Sequence, residues 1–150
     1  MSKKKDQFPN FSEKIHPALK EAFGYRLMHA AMKYRKSLLM ILDEFELVPP
    51  QMAVLRILED SDVLNQATLG QEPGVDKVNM SRMIDGLQKQ ELVKRVTGKN
   101  DKREKMIQIT KEGREIIAAI KKRNVIREKN FLAPLSALEA ETLKKLIMKL

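Results

Sequence analysis

The chain has 150 residues, 33% of them charged and 43% hydrophobic, with a net charge of +9 and neither cysteine nor tryptophan. That length allows one domain with a real core, or a compact domain carrying a helical arm. Without cysteine there are no disulfides, thiolate metal sites, thiol catalysis or sulfur-based redox sensing, and the positive balance points to a polyanionic partner.

The few aromatic residues argue against a platform that stacks single-stranded bases. No apolar run is long enough to span a membrane, and the basic start, Lys3-Lys4-Lys5, is followed by no hydrophobic stretch. A cytoplasmic protein is the expectation. Residues 1–10 read as a flexible tail whose lysines either touch phosphate or are simply solvated.

Phe11 to Phe45 reads mostly as one long helix, with Pro17 suited to a first turn. Leu19, Phe23, Leu27, Ala30, Tyr34, Leu38, Ile41 and Phe45 recur at three- and four-residue steps. Met28, Met32, Leu39 and Met40 widen that stripe. A helix this apolar asks for more partners than a small domain offers. A dimer interface is the economical explanation; a core helix of a monomer is the alternative. Pro49 and Pro50 end this segment, and Gln51 to Glu59 reads as a short buried helix. Asp60 to Asp62 is a turn, Asn65 caps a short helix through Glu72, and Pro73-Gly74 is a strong break.

Asp76 to Gln90 is the next helix, with Asp76 as its cap. Val75, Val78, Met83, Leu87 and Ile84 form its inner face, leaving Lys77, Asn79, Ser81, Arg82 and Asp85 outward. Gly86 inside it lets another helix or a backbone come close. Leu92–Val96 and Lys105–Ile109 are short strands joined by a turn at Thr97 to Asn100. Thr110 caps a helix to about Phe131 with Ile116, Ile117, Ile120 and Val125 on its apolar face. Ser136 and Glu139 make a capping box for a last helix striped by Leu138, Leu143, Leu146, Ile147 and Leu150.

Helix, Gly-containing turn, helix, basic hairpin is the order of a winged helix-turn-helix. The charge distribution agrees. Seven acids face one base between Ile41 and Val75, whereas nine bases face five acids between Asp76 and Lys105. The expected fold is mainly α with a small β component (α+β). Residues 46–113 form the winged DNA-binding lobe, and residues 11–45 and 114–150 form a helical dimerisation layer.

Arg82 has the chemistry to pair with guanine O6 and N7, and Asn79 to read adenine; an ion pair of Arg82 with Asp85 or Glu91 is the alternative. Ser81 and Lys77 suit phosphate contacts that set register. Lys99, Lys102 and Lys105 supply charge at the hairpin tip. Tyr34, Arg35 and Met52 are candidates for a ligand pocket, with core packing as the alternative for Tyr34 and Met52. His16 and His29 do not share a helical face, so no metal site is expected. Neither a nucleophile–base pair nor a phosphate-cradling Gly loop is found, and no catalytic residue or cofactor is expected.

The stretch Leu64-Asn-Gln-Ala-Thr-Leu, then Gly74-Val-Asp, then Met80 to Arg95, then Asn100 to Gly113 resembles the MarR family of bacterial transcription regulators. Its most specific parts are Asp101-x-Arg103 and Ile109-Thr-x-x-Gly113. The resemblance implies a homodimer placing one helix per subunit in the major groove of a near-palindromic operator on double-stranded DNA. It implies that Arg103 enters the minor groove, oriented by Asp101, and that the position of Val78 faces a base. It also implies repression, relieved by a small anionic or phenolic ligand. Three positions depart from the family pattern: Pro73, where a Leu is usual; Val78, where Ser or Pro is common; and Glu91, where a Gly usually ends the helix.

Overall fold

A computed structural model describes residues 15–71, 77–98 and 104–150, with the backbone alone at Lys77 and Val78. The chain divides into two compact units, Met1–Leu38 and Leu39–Leu150.

In the first unit a 3-10 turn at Pro17–Leu19 precedes helix α1, Phe23–Asp43, whose last residues belong to the second unit. The His16 ring accepts from the Ala18 N–H (3.2 Å), and Pro17 occupies the first position, where its missing donor costs nothing. The expected single helix from Phe11 therefore starts late within the described residues. The N–H groups of Leu19, Lys20 and Ala22 each bond three residues back, which winds this stretch too tightly for an α-helix.

α1 closes well before Pro49. Glu46 adopts φ 53°, Leu47 donates to the Leu42 carbonyl (3.0 Å) and Glu46 to that of Asp43 (3.1 Å). This left-handed closure satisfies carbonyls that the helix end leaves open. α2, Pro49–Ser61, then starts on the two prolines, and Gln51 accepts the Val48 N–H through its side chain (3.1 Å).

An unexpected three-residue strand β1, Val63–Asn65, follows the Asp60 to Asp62 turn position and runs into the expected cap. Asn65 still caps: its side chain accepts from the Ala67 N–H (2.7 Å) and starts α3, Gln66–Leu69. That helix is shorter than expected, closing at Gly70, whose N–H returns to the Gln66 carbonyl (3.1 Å). After α4, Lys77–Lys89, come β2, Val93–Thr97, and β3, Lys105–Ile109. The sheet is antiparallel in the order β1-β3-β2, with Val63 opposite Gln108 and Val93 opposite Ile109. α5, Lys111–Leu132, and α6, Ala137–Ile147, complete the chain.

The core lies in the second unit, on the inner faces of these elements. Leu42 comes from α1, Val54, Leu55 and Leu58 from α2, Met80, Ile84 and Leu87 from α4, and Val93, Ile107 and Ile109 from the sheet. α5 adds Ile117 and Ile120. Ile116 is only half-buried and Val125 is 70% exposed, so the expected α5 face is covered along its first half alone.

Candidate nucleic-acid interface

α4 is positioned from beneath by Met80, Ile84 and Leu87, all buried, with Met83 half-buried at the edge. The expected inner line centred on Met83 and Leu87 and omitted Met80. The four-residue step from Met80 to Ile84 and the three-residue step to Leu87 set the true line. Asn79, Ser81, Arg82 and Asp85 are exposed on the other side, as expected. Lys77 and Val78 stand in the first turn of the helix. Asp76, expected as its cap, lies outside the described residues.

Two approaches fix the orientation of α4. A Cβ at Gly86 would lie 2.9 Å from Nε2 of Gln51, so the glycine leaves room for the tip of that side chain from the start of α2. Gln90 Nε2 donates to the Glu46 carbonyl (3.1 Å), tying the end of α4 to the closure of α1. The helix ends at Glu91, which takes φ 59° in the place where glycine is usual. Leu92 donates to the Leu87 carbonyl (2.9 Å) and Glu91 to that of Gln88 (3.0 Å). Leu92, expected in the strand, instead completes this closure.

The hairpin leaves directly from that closure, and the Ile109-Thr-x-x-Gly113 motif explains how it is held. Thr110 Oγ1 donates to the Glu91 carbonyl (2.7 Å) and accepts from the Gly113 N–H (3.0 Å). The Thr110 N–H bonds the Leu92 carbonyl (3.1 Å). A Cβ at Gly113 would sit 2.3 Å from the Leu92 carbonyl oxygen, so only glycine lets α5 start this close. At the other end of the hairpin Gly98 donates to the Glu104 carbonyl (3.2 Å), and Asn65 Nδ2 to the Glu104 carboxylate (3.2 Å).

One further residue joins helix and hairpin. Arg95 of β2 places Nη2 2.6 Å from Asp85 Oδ1 and donates through Nη1 to Gln88 Oε1. Nothing in the spacing marks it, because the meeting depends on the packing of strand against helix. Asp85 therefore pairs with Arg95, and no ion pair to Arg82 occurs among the described residues.

Of the predicted DNA contacts, Asn79, Ser81 and Arg82 are exposed on α4, while Lys99, Asp101, Lys102 and Arg103 lie outside the described residues, as does the second half of the expected turn, Lys99 and Asn100. Tyr34 and Arg35 are half-buried on α1 in the first unit, and Met52 is half-buried on α2 in the second. Among the described residues no group of three or more His, Asp or Glu is placed to hold a metal, and no helix is long and apolar enough to cross a membrane.

Comparison with known proteins gives the same architecture. The MarR family profile matches residues 47–105. The transcriptional regulator HosA of Escherichia coli is 30% identical over 105 residues, covering 70% of this chain and 78% of HosA. A cysteine-to-serine mutant of MarR from E. coli, solved in complex with operator DNA, is 25% identical with a TM-score of 0.68, over 83% of this chain and 90% of that one. The PcaV transcriptional regulator from Streptomyces coelicolor, solved with its natural ligand, is 25% identical with a TM-score of 0.64, over 91% and 96%.

Proposed function

The chain belongs to the MarR family of DNA-binding transcriptional regulators, which are not enzymes, and from that premise we propose a homodimeric, sequence-specific repressor released by a small ligand. The observation that carries the reading is the set of exposed residues Asn79, Ser81 and Arg82 on a helix anchored by Met80, Ile84 and Leu87 and hydrogen-bonded to a hairpin strand. Arg82 pairs with a guanine edge, Asn79 reads adenine, and Ser81 and Lys77 hold phosphate. At the wing, Arg103, oriented by Asp101, is assigned on the family resemblance, and Lys99 and Lys102 on the charge they bring to the hairpin tip. A cytoplasmic location follows from the proposed work.

The dimer is supported by apolar side chains that stand exposed among the described residues of the second unit. Val125 and Ile126 on α5, and Leu138, Leu146 and Ile147 on α6, are all more than half exposed. A second copy covers such faces, and two-fold symmetry then presents two recognition helices about one duplex turn apart. Operator DNA bound to one solved relative supports the DNA contact, and a natural ligand bound to another supports small-molecule release.

The test is to select duplexes from a random library with the wild-type protein and measure affinity by fluorescence anisotropy. Arg82→Ala is expected to lower affinity for the selected duplex by roughly 5- to 100-fold and to relax preference at one base pair of each half-site. Equal affinity across all duplexes identifies a non-specific binder, and no DNA binding at all identifies a protein-interaction module.

A further inference from the structure

Asp85 stands three residues beyond Arg82 on the exposed side of α4, a spacing at which opposite charges on a helix meet. An unoccupied carboxylate there holds the Arg82 guanidinium against the helix and competes with any base for it. In the structure the carboxylate is engaged from another direction, by the 2.6 Å bond to Arg95 Nη2, while Nη1 of the same guanidinium is bonded to Gln88.

We propose that Arg95 is a positioning residue for DNA recognition: by occupying Asp85 at the root of the wing, it keeps Asp85 from capturing Arg82 and leaves Arg82 available to the groove. The proposal rests on the reading of Arg82 as a base contact.

The arrangement is built rather than incidental. β2 cannot slide, because Val93 opposite Ile109 and Arg95 opposite Ile107 fix its register, and Val93, Ile107 and Ile109 are buried. α4 cannot turn, because Met80, Ile84 and Leu87 are buried beneath it. The reach of Arg95 to Asp85 is thus set by two packed frameworks. The planar guanidinium spans both Asp85 and Gln88, one helical step apart, which a lysine ammonium on one flexible stem does not hold in the same way. On the helix, Arg95 therefore has two acceptors to itself and Arg82 has none of them.

The readout is the ratio of affinity for a duplex selected by the wild-type protein to affinity for its scrambled counterpart. Loss of a positive charge near DNA weakens binding to both duplexes alike and leaves that ratio in place. Capture of Arg82 lowers only the specific affinity. Arg95→Met is expected to lower the ratio by roughly two- to fourfold, the competition that an intrahelical pair supplies. Asp85→Asn leaves the ratio at the wild-type value, and the double variant Asp85→Asn/Arg95→Met restores it. In an Arg82→Ala background, Arg95→Met changes the ratio no further.

A purely structural clamp behaves differently: Asp85→Asn then lowers the ratio as Arg95→Met does, and the double variant does not recover. Either result overturns the proposal, as does a loss on Arg95→Met that persists without Arg82. Arg95→Gln replaces Arg95→Met in every arm if circular dichroism shows the latter unfolded. A wild-type protein that selects no sequence defeats the sequence-specific reading and this inference with it. A protein that selects one, yet keeps its ratio on Arg95→Met, defeats this inference alone.

Discussion

α4 and α6 carry apolar stripes of similar make-up, yet they end in opposite situations. α4 buries Met80, Ile84 and Leu87 almost completely, whereas α6 buries no residue fully: Ala140 and Leu143 are half-buried and Leu138 is 76% exposed. α6 starts on a capping box and α4 finishes in a left-handed closure, so a weak end does not explain the exposure of α6. What separates them is what lies opposite: α4 has α2, the sheet and a strand arginine, while the proposed partner of α6 is another copy of the chain. A stripe states that a face will be covered and leaves open by which molecule.

The largest expected effects test that division directly. Ile84→Ala removes a fully buried side chain and is expected to cost about 2–5 kcal/mol of folding stability, independent of protein concentration. Leu146→Lys on α6 should leave the fold of the winged lobe in place, since Leu146 is half exposed. Its effect is instead on association: sedimentation should show a monomer, and apparent stability should lose its dependence on concentration. If Leu146→Lys destabilises at every concentration as Ile84→Ala does, α6 is part of the monomer's own core and the contrast fails.

Gly113→Ala probes the tightest approach inside the lobe. The added methyl would meet the Leu92 carbonyl oxygen at 2.3 Å, which is backbone and cannot swing aside. Thermal unfolding should show a loss of roughly 1–3 kcal/mol, the usual cost of overpacking. The same change at Gly24, where nothing lies within 4 Å, should be silent or slightly stabilising because it restricts the unfolded chain.

These contrasts show what was legible in the letters. Caps were, because a cap is made by neighbours in sequence. Asn65, Thr110 and the Ser136–Glu139 box all form the bonds their types imply. The order of helices and hairpin was legible from periodicity and breaks. Strand β1 was not, since three residues are too few to display alternation and its pairing partner lies some forty positions away. Nor was the inner line of α4: a window that starts from Val75 favours Val78 and Met83 over Met80, and one residue of offset turns a helical face by about 100°. In the sequence Arg95 is one base among nine, because its bond to Asp85 exists only once strand and helix are packed. At the site, the outward placement of Asn79, Ser81 and Arg82 could be read from the sequence; the tie that keeps Asp85 occupied could not.

Glu91 sharpens the lobe side of the comparison at smaller scale. It holds φ 59° without glycine's freedom, a cost that the surrounding bonds from Leu92 and Thr110 override. Glu91→Gly relieves that cost but adds entropy to the unfolded chain, so the expected gain is about 0.5 kcal/mol in chemical denaturation. Glu91→Val should move stability the other way, since a β-branched side chain tolerates this conformation least.

The smallest effect belongs to the cap of α6, and its sign can be worked out. The Glu139 carboxylate accepts from the Ser136 hydroxyl (2.7 Å) and the Ser136 N–H (2.8 Å), and these bonds hold its pKa below the usual value of 4.5. A carboxyl lowered in the folded state binds its proton less readily there than in the unfolded chain, so its contribution is present above 4.5 and fades as pH falls through the lowered value. Chemical shifts of residues 137–147 followed from neutral pH downward should therefore report fraying of the first turn of α6 only in the acid range, while α4 stays intact over the same steps. Glu139→Gln should remove the acid transition, because a neutral amide can accept the same bonds at every pH. The fraying should also appear earlier in a dissociated Leu146→Lys protein than in the dimer, since a helix with no fully buried residue depends on its cap more than one that a partner covers.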